Sequence, residues 1–144
     1  MSIFQWVGRR PGVSTVGYGD RMHRSRLYAI GIDCPAGVRH ETETFWAGAL
    51  GGSVEPEQEA PQYSAVAKVA GRSVFVQQIE GAARLHLDIE TDDVEAEVSR
   101  LEVLGAQRVR TLDGYWIMRD PAGLVFCVLP PQTADFPGDA VVWP

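Results

Sequence analysis

"RLHLDIETDDVEAEVSRLEVLGA", residues 84–106, begins as strict polar/apolar alternation, breaks at "TDD" and resumes with apolar residues three and four apart. Period two marks a strand with one face buried, and the later spacing marks a helix. Asp92 or Asp93 reads as the helix N-cap, Val94, Val98, Leu101 and Leu104 as its buried stripe, and Gly105 as its stop. On the strand, Leu85, Leu87 and Ile89 form the expected core face, packed under helices, which sends Arg84, His86, Asp88 and Glu90 to the opposite side. A histidine in that setting is either held by a side chain of a neighbouring strand or placed to meet a ligand and move a proton near neutral pH.

The elements that follow are three strands. "QRVRT" (107–111) is one, Asp113-Gly114 is a strong hairpin turn, and "YWIMRD" (115–120) and "LVFCVLP" (124–130) flank the turn "DPAG". The first half has the same order. "LYAIGIDC" (27–34) is a strand ended by Pro35, and "GVRHETETFWAGALGG" (37–52) is a helix with Val38, Phe45, Trp46, Ala49 and Leu50 as its apolar positions and Glu41 and Glu43 on a solvated face. "SVEPE" (53–57) reads as a short edge strand, and "YSAVAKV" (63–69) and "SVFVQQI" (73–79) as a hairpin about "AGR". The fold class is therefore α+β: two βαβββ modules, about 26–81 and 82–130, in one domain over 26–132, with an N-terminal arm at 1–25 and a C-terminal tail at 133–144.

Charge divides unevenly along the chain. Residues 1–26 hold five arginines (Arg9, Arg10, Arg21, Arg24 and Arg26) against Asp20, leaving 8 basic and 18 acidic residues in the remainder. A body that acidic repels phosphate backbones, so no nucleic-acid partner is expected, while the basic arm suits an acidic partner, its own domain included. The arm otherwise reads as a variable extension. No run of about twenty apolar residues and no basic-then-apolar leader occurs, which predicts a cytoplasmic protein with no membrane partner. Cys34 and Cys127 lack CxxC spacing and read as reduced thiols. "GYG" at 17–19 is no dinucleotide fingerprint, "RHETE" is not HExxH, and no GxSxG occurs.

The strand-helix at 84–106 and "MRDPAGLVFCVLP" (118–130), in this order and spacing, resemble the vicinal oxygen chelate superfamily, in particular its glyoxalase-like and bleomycin-resistance-like members. The resemblance covers roughly residues 26–130. It implies paired modules whose strands curl into an open half-barrel around a cleft, with helices outside. In metal-dependent relatives, four inward side chains from the first and fourth strands of each module hold a divalent cation that polarises a substrate bearing two neighbouring oxygens. Carried over, these positions are Tyr28, Gln77, His86 and Cys127.

Only His86 is a usual ligand of that set, so no metal and no other cofactor is expected. Tyr28 and Gln77 suit hydrogen bonding to a ligand, Cys127 reads as a small core residue or a cleft contact, and His86 is the general acid/base residue. Trp46 is placed in the helix stripe. Trp116 or Tyr115 is the aromatic wall the resemblance implies, and Arg119 reads as a partner of Asp120 or an anchor for an anionic substrate. The expected function is binding of a small, partly aromatic or carbonyl-bearing molecule in the cleft, with possible acid/base catalysis. The alternatives are a metal-dependent lyase or dioxygenase, with Glu80, Asp88 or Glu90 entering the site, and a drug-sequestering protein. A homodimer is the expected assembly.

Overall fold

Two strands carry the architecture. β1 (His23–Pro35) and β5 (Arg84–Thr91) lie antiparallel at the centre of one sheet in a computed structural model that describes residues 22–144. The remaining elements are α1 (Arg39–Leu50), β2 (Glu55–Pro56), β3 (Tyr63–Val69), β4 (Arg72–Ile79), α2 (Val94–Val103), β6 (Gln107–Leu112), β7 (Tyr115–Arg119), β8 (Val125–Leu129) and β9 (Val141–Trp143). The sheet order is β2-β3-β4-β1-β5-β8-β7-β6, with β9 added to the start of β1. β1 pairs in parallel with β4 and β5 with β8, so each βαβββ module repeats one topology on its own side of the β1–β5 seam. The ends, β2 and β6, do not meet, and the sheet stays open.

Local chemistry sets the turns. Ala70-Gly71 and Asp113-Gly114 each place two residues at positive φ (48° and 78°, 44° and 87°), the geometry that joins twisted antiparallel strands through two residues. Asp93 caps α2, its Oδ1 accepting from Ala96 N at 3.0 Å, and Gly105 leaves the helix at φ 105°. Asp120 spends its side chain on the "DPAG" turn, accepting from the Ala122 and Leu124 amides, and so is not the partner of Arg119.

The helices cover the outer face. α1 closes a cluster of Ile32, Cys34, Ala47, Val66, Val74 and Val76, and α2 closes one of Val98, Met118, Phe126 and Val128. Their stripes differ from the periodicity reading. In α1 the sheet-facing residues are Glu43, Ala47 and Trp46, whereas Val38, Phe45, Ala49 and Leu50 are exposed. Glu43 is no solvated residue: it accepts from Ser64 Oγ at 2.7 Å and Arg39 Nε at 2.6 Å, and two such partners let a carboxylate replace an apolar side chain. In α2, Val94, Val98 and Leu101 pack as expected, but Leu104 is exposed and Glu97 is fully buried. Glu97 receives Ser25 Oγ and Arg100, and lies 2.7 Å from His23 Nε2.

The face assignment of β5 needs the largest correction. Leu85 and Leu87 are exposed, and only Ile89 joins the α2 cluster, while His86, Asp88 and Glu90 are buried. The reason is coverage: α1 lies on β3, β4 and β1, and α2 on β1, β6, β7 and β8, leaving the outer face of the first half of β5 without a helix.

The segment read as a C-terminal tail is bound into the domain. β9 pairs with His23–Ser25, Trp143 Nε1 donates to Ser25 Oγ at 2.8 Å, and the Arg100 guanidinium lies 3.7 Å over the Trp143 ring. Arg26, also buried, donates to Glu90, Thr133, Asp135 and Asp139. Of the arm at 1–25, residues 1–21 lie outside the described residues; Arg24 and, just past the arm, Arg26 meet acids of their own domain, at Asp92 and Glu90. No helix among the described residues is long and apolar enough to cross a membrane.

Arg26 and Glu90 are both desolvated, so deleting one partner strands the other's charge. Arg26→Met is expected to lower stability by about 3–5 kcal/mol in urea unfolding and to release β9. A loss under about 1 kcal/mol would show that the pair does not anchor the C-terminal segment.

Candidate functional site

Strand alternation turns one face of seven strands inward around a cleft of about 410 Å³, with residues of β1, β3, β4, β5, β6, β7 and β8 in its wall. Its floor is the β1–β5 seam, where Gly31 pairs with His86. The imidazole lies over Gly31 so closely that an added Cβ there would sit 2.2 Å from Cε1 and 2.5 Å from Nε2. Glycine at 31 is therefore what admits the ring.

Two buried carboxylates flank it. Nδ1 of His86 is 3.0 Å from Asp33 Oδ1, and Nε2 is 3.5 Å from Asp88 Oδ1. Neither carboxylate oxygen has an aligned hydrogen bond, so both contacts act mainly through charge. Arg84 Nε donates to the other Asp33 oxygen at 2.8 Å, and the Phe75 ring meets the imidazole edge-on at 5.5 Å.

This packing sets the protonation states. Burial pushes the Asp88 carboxyl up to about 6, against the pull of His86 and of the Cys127 thiol. Burial alone would lower His86, but the carboxylates of Asp33 and Asp88 outweigh it and hold the imidazole above its ordinary value. Asp33 resists its own burial through His86 and Arg84 and stays below the usual carboxylate range. Burial and the nearby Asp88 raise the Cys127 thiol, which removes it as a nucleophile at neutral pH. The floor thus sets one imidazole between two carboxyl groups, one of which, Asp88, is pushed up to about 6.

The walls are aromatic and amide. Tyr63, Phe75 and Tyr115 line the cleft, and Gln77 Nε2 donates to Tyr63 Oη at 3.1 Å. Of the residues expected to line the site, His86, Gln77 and Cys127 do so. Tyr28 is not in the cleft wall; it is buried beneath it with Phe75 and Leu129, next to an irregularity in β1 between Leu27 and Ala29. Trp116 belongs to the opposite face, against α2, with Nε1 donating to Glu95 and Arg108 over its ring; Tyr115 takes the inward place. Glu90 is held by Arg26, and Glu80 lies outside the cleft wall. Asp33 escaped the sequence reading. Its signal was a lone acid in an otherwise apolar strand.

The four inherited positions do not fit a divalent cation. They present an imidazole facing a carboxylate on each nitrogen, a thiol held protonated, an amide bonded to Tyr63 and a phenol beneath the wall. Among the described residues no group of three or more His, Cys, Asp or Glu has the arrangement to hold a metal ion.

Two substitutions test this geometry. Gly31→Ala should displace His86 at a cost of about 1–3 kcal/mol and return its NMR titration toward an ordinary value of about 6.5; an unchanged titration would mean the ring does not rest on Gly31. Because Asp88 has a folded pKa above its ordinary value, its contribution to stability is complete at low pH and is lost as pH rises through about 6. Between pH 3.5 and 7, Asp88→Asn should therefore flatten the fall of unfolding free energy, by up to about 3 kcal/mol. Parallel pH profiles would contradict the assignment.

The sequence profile of the glyoxalase-like domain matches residues 29–129. No curated protein matches the chain by sequence. Among solved structures of similar fold is 2,2',3-trihydroxybiphenyl 1,2-dioxygenase from dibenzofuran-degrading Sphingomonas wittichii strain RW1, 15% identical, with 76% of this chain and 42% of that one covered and a TM-score of 0.55. A hypothetical protein from Bacillus halodurans C-125 is 13% identical, with 76% and 97% covered and a TM-score of 0.53. The Mn(II)-bound glyoxalase from Novosphingobium aromaticivorans is 16% identical, with 82% and 45% covered and a TM-score of 0.50. The chain spans less than half of the dioxygenase and of the glyoxalase, and at these identities the likeness is one of fold. With the profile covering most of the sequence and the paired βαβββ modules in place, the chain belongs to the glyoxalase-like domain family.

Proposed function

We propose that the protein binds a small, partly aromatic or carbonyl-bearing molecule in the half-barrel cleft and exchanges a proton with it through His86 and Asp88, with no metal taking part. The observation that carries this reading is the imidazole seated on Gly31 between two buried carboxylates, one of which titrates near neutrality. General acid/base chemistry needs a donor and an acceptor poised close to the working pH. An imidazole held above its ordinary value beside a carboxylate of pKa about 6 meets that need, and Asp33, tied to Arg84, orients the ring. The cleft volume of about 410 Å³ falls in the range for small organic ligands, and the rings of Tyr63, Phe75 and Tyr115 suit a planar one.

A second reading, sequestration without turnover, is favoured by the same aromatic walls. The two separate in one experiment. A panel of small carbonyl compounds in D2O, followed by proton NMR, should show deuterium entering next to the carbonyl of at least one. The rate should rise with pH through about 6 as Asp88 ionises, and the exchange should fall at least 100-fold in Asp88→Asn or His86→Asn. Binding that shifts the Tyr115 resonances with no exchange would leave sequestration, and a panel that neither binds nor exchanges would overturn both.

A further inference from the structure

Seven of the nine arginines among the described residues are ion-paired: Arg24, Arg26, Arg39, Arg72, Arg84, Arg100 and Arg108 each have an Asp or Glu within ion-pair distance. Arg110 and Arg119 have none among the described residues, and of these two only Arg110 lines the cleft. In a chain with 19 acidic residues against 13 basic ones, an arginine left unpaired at the wall of this cleft is unusual. Asp113 lines the same wall without pairing with it.

The floor cannot be what Arg110 balances. The acids Asp33 and Asp88 are already met there by Arg84 and His86, in buried or half-buried contact. β6 carries Arg110 on the rim of the sheet, an edge strand paired only with β7, and Arg110 is exposed. The cleft therefore runs from a charge-compensated, proton-exchanging floor, past the rings of Tyr63 and Tyr115, to a free guanidinium.

From this arrangement we infer that the ligand is an anion, a planar organic carboxylate, whose carboxylate is gripped by Arg110 while its other end meets His86. A guanidinium matches a carboxylate with two parallel hydrogen bonds, which fixes orientation as well as adding affinity. The inference rests on the proposed cleft-binding function and adds the ligand's charge and polarity to it.

The test uses matched pairs of aromatic carboxylates and their primary amides, beginning with 4-hydroxybenzoate and 4-hydroxybenzamide, titrated into the whole protein by calorimetry and by NMR of the Tyr115 ring. The wild type should bind the acids at least tenfold more tightly than the amides. Arg110→Gln should abolish that preference, and Arg119→Gln, which alters an arginine outside the cleft, should preserve it. Equal affinity for acids and amides in the wild type, or a preference that survives Arg110→Gln, would overturn the inference and leave the cleft-binding function standing. Failure of every pair to perturb Tyr115 would overturn the cleft-binding function and this inference with it.

Discussion

The antiparallel seam between β1 and β5 is the constraint on which the rest depends. On its inward face Arg26 stands opposite Glu90, Ala29 opposite Asp88, Gly31 opposite His86 and Asp33 opposite Arg84. Ion pairs therefore close both ends, and between them two small residues make room for a carboxylate and an imidazole. A one-residue slip would turn every one of these side chains outward and bring Ile30, Leu87 and their neighbours into the cleft. Register and site are one property of the same ladder.

Fold and site differed in how far the sequence revealed them. The paired modules, the two hairpin turns, the Asp93 cap and the inward direction of His86 and Asp88 all follow from period, turn chemistry and capping, which are local. What escaped reading depends on partners distant in sequence. Glu43 looks solvated until Ser64, 21 residues away, is placed against it, and nothing local marks Glu97 for its contact with His23, 74 residues away. Leu85 and Leu87 look like core until the reach of each helix is known. Tyr28 lies under the cleft-lining Phe75 and Leu129, and Trp116 gives way to Tyr115 through the phase of β7; neither is encoded in the local pattern.

The buried charges bear on specificity more than on stability. Arg26, Glu90, Glu43, Glu97 and Asp33 are all buried and all paired. Such pairs regain roughly what desolvation costs, whereas any alternative arrangement leaves an isolated charge in the interior. Among the described residues the apolar clusters are three small groups rather than one large core, and these pairs penalise misregistered packings. They also tie the C-terminal segment to the cleft: Glu90 accepts from the Gln132 and Thr133 amides as well as from Arg26, and Gln132 lines the wall.

The two modules share a topology and divide the chemistry. The second supplies the imidazole, the tuned carboxylate and the thiol from β5 and β8, while β1 of the first supplies the glycine bed and Asp33. A chelating centre built across the same seam would need comparable donors from both halves. Here the first module's corresponding positions are a phenol turned into a hydrophobic cluster and an amide committed to Tyr63. The seam instead holds a glycine-seated histidine between two carboxylates, an arrangement built for charge compensation and proton binding rather than for a symmetric ligand set.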